Sequence, residues 1–500
     1  MGHLDARFLE LLTIERVKQE FADLKNAKTD LLSGEIWIAR GCDGISYKDF
    51  EKNIDGYASL ICDKGRKGTY LFSPFREKET PKPPFNKNQL GEARKANKIR
   101  VLSISTIQDT LFQRLISDAI YPHAEEIFAM NIDLHSYGYR SKKSSKMAIK
   151  KIRRLIDEGY HYVLDGDISK FFDEIDHTLL RNKMVSFFGE DNRLVQKFLY
   201  RFIHVDKIPV GKEREYKYPE RAEKREKGIP QGGVLSGLLA NVFLYDFDLY
   251  VVNKLMPKFE FKYFRYADDF VLLFKHDERI NMVHSLLEQR LRDVEKLKLH
   301  PIGEKTKQLD LSTNGKDVLD FLGFGISPKY LRIKEDNYNK FKKRIVATLK
   351  STEIEADNTY FSRVVPALNR RIVALEDSIE QNDGLCPVCN LLIKKRSWIG
   401  YFMMVDDVRQ LRKIDTMIRT EIYKDYHKHF KKHIRKGSLL KTTKNWLKSV
   451  EKMYYKYKKQ IRKYEKSGYC NCIRYYDKNS GLIKVVAHEN TDVRVGSEIV

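Results

Sequence analysis

Two adjacent acids, Asp268 and Asp269, stand between two β-prone apolar runs in the order Phe264-Arg265-Tyr266-Ala267-Asp268-Asp269-Phe270-Val271-Leu272-Leu273. That is the pattern of a hairpin with carboxylates at its tip. Neighbouring carboxylates repel, so the pair is costly unless a divalent cation neutralises it. An ordinary Asp–Asp turn would look the same in isolation. A second acidic run, Val163-Leu164-Asp165-Gly166-Asp167-Ile168-Ser169-Lys170-Phe171-Phe172-Asp173, puts Asp167 at the end of a short apolar strand, just before a helical pattern. Asp165 and Asp173 are rivals in the same run. Phosphoryl transfer assisted by two cations needs carboxylates from separate strands that converge on ions about 4 Å apart. Asp167 and Asp268 are placed to bridge such ions, with Asp269 assisting. A third element, Gly228-Ile229-Pro230-Gln231-Gly232-Gly233-Val234-Leu235-Ser236, is a glycine-rich turn ahead of a helix, where backbone can approach a substrate closely. On its own it would read as a plain helix entry.

The elements that must position these residues follow from periodicity. Val101 to Ile104, Tyr162 to Leu164 and Phe270 to Phe274 read as buried strands, and Thr106 to Tyr121, Ser144 to Asp157 and Leu235 to Lys254 as helices. The result is an α+β pattern from Arg100 to Phe324. A Pro-rich connector, Ser73-Pro74 through Pro81-Lys82-Pro83-Pro84, precedes it. After Asn337 the chain turns almost wholly helical and basic, broken at Asp383-Gly384-Leu385-Cys386-Pro387. From about Gly468 short strands or a tail are expected.

Composition narrows the partner. Five hundred residues imply two or three domains. The formal charge of +24 points to a polyanion, most simply nucleic acid. Between Glu421 and Lys466 there are 16 Lys and Arg against 4 Asp and Glu, a net +12, which is half of the total. Tyr423, Tyr426, Phe430, Trp446, Tyr454, Tyr455, Tyr457 and Tyr464 interleave these cations, and rings can stack on bases. No stretch approaches the roughly eighteen apolar residues of a membrane span, and no signal peptide is evident, so a cytoplasmic protein without a membrane partner is expected. Six cysteines do not make a disulfide scaffold. Cys386-x-x-Cys389 has zinc-knuckle spacing, and Cys470 and Cys472 could complete a structural Zn2+ site. Against that, 80 residues separate the pairs, and free reduced thiols are the alternative.

Taken together, the acidic runs and glycine turn resemble the reverse transcriptases, specifically the bacterial group II intron-like branch. In that family the Asp-Ile-x-x-Phe-Phe-Asp run, the Pro-Gln-Gly-Gly turn and Tyr-Ala-Asp-Asp occur in this order. Gly41-Cys42-Asp43-Gly44-Ile45-Ser46 is similar to its N-terminal extension, and Arg100-Val101-Leu102-Ser103-Ile104 and His135-Ser136-Tyr137-Gly138-Tyr139-Arg140 to its fingers motifs. Pro301-Ile302-Gly303-Glu304-Lys305-Thr306-Lys307 and Phe321-Leu322-Gly323-Phe324 resemble its Pro-Glu-Lys-Thr segment and primer-grip turn.

The resemblance implies a right-hand polymerase. Residues 1–90 would form an N-terminal extension and 91–330 fingers and palm with an antiparallel sheet. Residues 331–435 would form a helical thumb with a Cys-containing insertion, and 436–500 a basic C-terminal extension. It further implies two Mg2+ ions held by Asp167, the Ile168 position, Asp268 and Asp269, and Lys305 as proton donor to pyrophosphate. Arg100 and Arg140 would grip the triphosphate, Phe172 would exclude a ribose 2′-hydroxyl, and Gln231 and Gly232 would lie near the templating pair. The expected partners are an RNA template, most simply a structured noncoding RNA, deoxynucleotides and a DNA product; a homo-oligomer is compatible with the sequence. The absence of an endonuclease-like cassette favours antiphage defence. Intron splicing and mobility, or an RNA-binding protein with a vestigial polymerase, are the competing readings.

Overall fold

The computed structural model describes residues 1–29, 36, 39–82, 85, 87–141, 143–210, 222–312, 315–354, 359–373, 385–393, 397–431, 447–464, 469–470, 472–477 and 482–486. Pro83, Pro84 and residues 487–500 lie outside the described residues, as does the whole basic stretch 432–446 with Trp446. The chain forms two compact units, one built on Met1–Thr29 with Ile36–Asp317 and the other on Val318–Arg494. The break therefore falls ahead of the boundary expected near residue 330. Among the described residues no helix is long and apolar enough to cross a membrane.

The strands of the first unit are β1 (Phe75–Pro81), β2 (Ile99–Ile104), β3 (Tyr162–Asp167), β4 (Lys207–Ile208), β5 (Lys262–Tyr266), β6 (Asp269–Phe274) and β7 (Lys307–Asp310), with β-branched and aromatic residues concentrated in β2, β5 and β6. One sheet has the order β2-β1-β4 and the other β5-β6-β3-β7, the latter with antiparallel neighbours throughout. β6 is buried on both faces from Phe270 to Phe274, which explains its unbroken apolar run.

The helix Ile107–Ile132 is capped by the Thr106 hydroxyl, which accepts from the Asp109 N–H. It continues past Pro122, beyond the end expected at Tyr121, because Ala124, Phe128 and Ile132 go on burying its inner face. One contiguous core runs from Leu4 and Phe8 through Phe112, Phe198 and Phe243 to Leu297 and Leu299. The helices His3–Leu11 and Ile14–Lys28 share that core, so residues 1–90 are part of the first unit.

The second unit starts with an antiparallel meander, β8 (Leu319–Phe321), β9 (Phe324–Ser327) and β10 (Tyr330–Ile333). The helices Glu335–Ser351, Tyr360–Val373, Val408–Phe430 and Val450–Tyr464 follow, and then the hairpin of β11 (Ile473–Asp477) and β12 (Leu482–Val486). Phe341 stacks on Trp398 at 3.9 Å. The buried Asp415 carboxylate accepts from the Val450 N–H (2.7 Å) and the Ser449 hydroxyl (2.6 Å), capping the last helix. That helix buries Val450, Met453, Tyr454 and Tyr457 and exposes Lys452, Lys456, Lys459 and Lys463. Tyr454 and Tyr457 are therefore core residues and not base-stacking rings; Tyr455 remains exposed.

Candidate active site

Asp167 ends β3 and lies directly opposite Asp269, the first residue of β6. The β5–β6 hairpin closes through Ala267 and Asp268, so the backbone register alone brings the three aspartates to one end of the sheet. Burial pushes the Asp268 carboxyl above its usual range and the charge of Asp167 adds to this, with Arg100 and Arg265 pulling the other way. A carboxylate so placed wants a proton or a cation. Hard oxygen donors clustered in this way suit Mg2+, so the residues fit that ion. Ile168 pairs with Leu299 in a bridge whose hydrogen bonds come from its neighbours: Ser169 N–H donates to Lys298 O (2.8 Å) and His300 N–H to Asp167 O (3.0 Å). The carbonyl of Ile168 is thus directed away from that bridge.

The hairpin tip is held from below. Ala267 has φ 58°, a left-handed conformation that a non-glycine residue adopts only when its surroundings impose it. The imposing group is Arg265, fully buried, whose Nη1 donates to Ala267 O (2.8 Å) and Asn241 Oδ1 (3.0 Å). Its Nε donates to Asp248 Oδ1 (2.8 Å), and Tyr263 Oη donates to the same oxygen (2.7 Å). Asn241 Nδ2 in turn donates to Gly138 O (2.8 Å). At Gly138 a Cβ would stand 2.3 Å from Ala267 N, so the loop from His135 can press on the tip only with glycine there. Asn241, Asp248 and Arg265 were not singled out from the sequence. The signal was present: two polar residues seven apart on an apolar helix, and an arginine in an apolar strand, must be paired if buried.

The glycine-rich turn docks against two elements. Gln231 O accepts from the Ser103 N–H (2.7 Å), which joins the turn to β2, and Gln231 Nε2 donates to Asp173 Oδ1 (3.1 Å). Gly232 has φ +118°, and a Cβ there would meet Ser103 O at 2.9 Å. The Ile229 N–H donates to Phe172 O (2.8 Å). The Phe172 ring meets Tyr139 edge-on at 6.4 Å.

Residues 81–326 match the family model for reverse transcriptase (RNA-dependent DNA polymerase). They form a reverse transcriptase domain. The chain is 28% identical over 267 residues to protein YkfC of Escherichia coli K12, covering 47% of this chain and 63% of that one. It is 30% identical over 222 residues to the group II intron-encoded protein LtrA of Lactococcus lactis subsp. cremoris, covering 44% of this chain and 30% of LtrA. The match thus spans less than two thirds of either relative. Telomerase from Candida albicans, solved with a fragment of telomeric RNA, superposes with a TM-score of 0.41 at 12% identity, covering 83% of this chain and 68% of that one.

Within the reverse transcriptase domain the expected cations have different surroundings. Arg100 is exposed on β2, and its charge is felt by both Asp268 and Tyr139. Arg140 is a correction. Its side chain is fully buried and bonded to Glu125 through Nε (2.9 Å) and Nη2 (2.7 Å), and to Ser136 O through Nη1 (3.2 Å). With its donors used inside the fold, Arg140 is a positioning residue and not a triphosphate ligand. Lys305 Nζ lies 3.3 Å from Asp167 Oδ2 and 3.1 Å from His300 Nε2, and His300 Nε2 lies 3.4 Å from the same Asp167 oxygen. His300 was not anticipated; no motif distinguishes it.

In the second unit Cys386, Cys389, Cys470 and Cys472 come together, with their sulfurs all within 4.8 Å of one another. Burial raises the Cys386 thiol, but N–H groups of Cys389 and Val388 and neighbouring thiols outweigh this and bring it down to about 7. Burial dominates at Cys472, pushing it up to about 11.

Proposed function

We propose that this chain is an RNA-directed DNA polymerase. The observation that carries the reading is the register of Asp167 opposite Asp269, with Asp268 in the adjoining turn, inside the segment that matches the reverse transcriptase family. Asp167, Asp268 and Asp269, with the Ile168 backbone beside them, would hold two Mg2+ ions, which when bound acidify a primer 3′-hydroxyl and neutralise charge on the nucleotide triphosphate. The hydroxyl oxygen forms a bond to the α-phosphorus, and the bond to the leaving pyrophosphate breaks. The chain's own groups align that displacement. The Arg265 network fixes the hairpin tip, Arg100 would face the triphosphate, and Lys305, beside Asp167, would give a proton to the departing pyrophosphate. Phe172, beside Tyr139 and next to Asp173, would stand where a ribose 2′-hydroxyl intrudes and so favour deoxynucleotides. The exposed Lys452, Lys456, Lys459 and Lys463 offer a stripe for phosphate backbone.

The template we favour is a structured noncoding RNA, and the setting antiphage defence in the cytoplasm. The similarity to LtrA supports a second reading, splicing and mobility of a group II intron. Sequencing the RNA and DNA that copurify with wild type and with the Asp268→Asn/Asp269→Asn variant tests both. A defined RNA in both samples, with complementary DNA only in wild type, is expected. An intron flanked by exon sequence as that RNA would move the assignment to splicing. DNA that persists in the variant would overturn the polymerase reading.

A further inference from the structure

Outside the reverse transcriptase domain, the four cysteines are placed by backbone that serves no other evident purpose. Residues 385–393 fold into a tight loop closed by the Leu385–Leu392 bridge. Inside it the Cys386 N–H donates to Leu391 O (2.9 Å) and the Asn390 N–H to Cys386 O (3.0 Å), with Asn390 left-handed at φ 56°. This turn brings the thiols of Cys386 and Cys389 to the same side. The second pair docks through the Leu392–Tyr469 bridge and the bond from the Cys470 N–H to Leu392 O (2.8 Å). Backbone N–H groups also point at sulfur, Val388 to Cys386 Sγ (3.5 Å) and Cys472 to Cys470 Sγ (3.3 Å), as they do around thiolates. Among the described residues, Ile393 and Leu391 are the apolar side chains packed with the thiols, with the neighbouring Leu392 also buried, a small apolar surface to hold two segments 80 residues apart.

We propose that Cys386, Cys389, Cys470 and Cys472 bind one structural Zn2+ that staples the 385–393 loop to the segment following the helix Val450–Tyr464. A tetrahedral ion with Zn–S bonds of about 2.3 Å separates its sulfurs by about 3.8 Å, within the span observed. Four thiolates select a soft or borderline metal and leave no open position, so the role is structural and not catalytic. The spacing suits one ion; the bulk of an iron–sulfur cluster would hold its ligands further apart. The metal closes a long loop that contains the lysine-bearing helix, and so limits where those cations can go.

Metal analysis of the purified full-length chain, with native mass spectrometry, tests the assignment. One zinc per chain is expected in wild type and in Cys42→Ser, whose target lies outside the cluster, and none in Cys389→Ser/Cys472→Ser. Iron in place of zinc, no metal, zinc that persists in the double variant, or disulfides joining these cysteines in the freshly purified protein would each overturn it. Should the double variant be insoluble, Co2+ exchange into wild type decides. Thiolate-to-cobalt charge-transfer bands with tetrahedral d–d absorption support the site, and their absence refutes it.

Discussion

The aspartate edge and the thiol cluster are both sets of metal-ligand residues, yet they are built in opposite ways. The aspartates are aligned by strand register on a sheet whose strand β6 is buried from Phe270 to Phe274, and a fully buried Arg–Asp pair underpins the tip, while Asp269 itself stays exposed. Among the described residues, the ligand set already drawn within 4.8 Å is the cysteine one. It sits on two short segments, and among the described residues few apolar side chains pack with it. The lesson is about what each site needs. An edge where substrate must enter keeps its ligands open and takes rigidity from the scaffold, whereas a closed site supplies the rigidity that its scaffold lacks.

The largest effect should come from the open site. Replacing Asp268 and Asp269 with asparagine is expected to lower DNA synthesis by about a thousandfold or more, the loss of several kcal/mol of charge stabilisation. The thermal midpoint should stay level or rise, since like-charge repulsion is relieved. Near-wild-type synthesis would break the comparison outright. Next is the scaffold. Asp248→Ala leaves Arg265 buried without its carboxylate, which should cost the first unit about 3–5 kcal/mol in urea unfolding. A loss under about 1 kcal/mol would mean that the network does not support the tip.

The units should also differ in their response to pH. Burial raises the Asp109 carboxyl to about 6, against hydrogen bonds from Tyr70, Thr106 and Ser73 that lower it. Because the folded value lies above the unfolded one, the stabilisation is complete below about pH 4 and lost as pH rises through 6. The first unit should therefore lose up to about 3 kcal/mol between pH 4 and pH 8, and Asp109→Asn should flatten that slope. An unchanged slope in the variant would assign the dependence elsewhere. The smallest effect concerns selectivity. Phe172→Ala should improve ribonucleotide use relative to deoxynucleotide about 10- to 100-fold in kcat/KM. No shift would remove Phe172 from the sugar pocket.

Much of the architecture is legible along the chain because it is local. Short unbroken apolar runs mark β3 and β6, and a threonine three residues before Asp109 marks the start of a helix. The three motifs with their spacing point to one site, since a short strand and a two-residue turn leave their acids few places to go. Other features depend on the partner that a residue meets. Arg100 and Arg140 look alike in sequence, and it is the contacts with Glu125, fifteen residues upstream, and with Ser136 that make Arg140 an internal anchor. Tyr454 and Tyr455 are adjacent, yet helical geometry buries one and exposes the other.

By itself, then, the sequence determined which chemistry is on offer: paired acids at strand ends, a glycine turn, two cysteine pairs and a basic helical tail. These are properties of residue type and short spacing, which backbone sterics translate directly into turns and strands. The tertiary structure alone decided which groups meet. It set Asp167 across from Asp269, paired Arg265 with Asp248 and Asn241, and closed the 80 residues between the cysteine pairs. Such contacts depend on how distant segments pack, and short-range spacing carries no information about that.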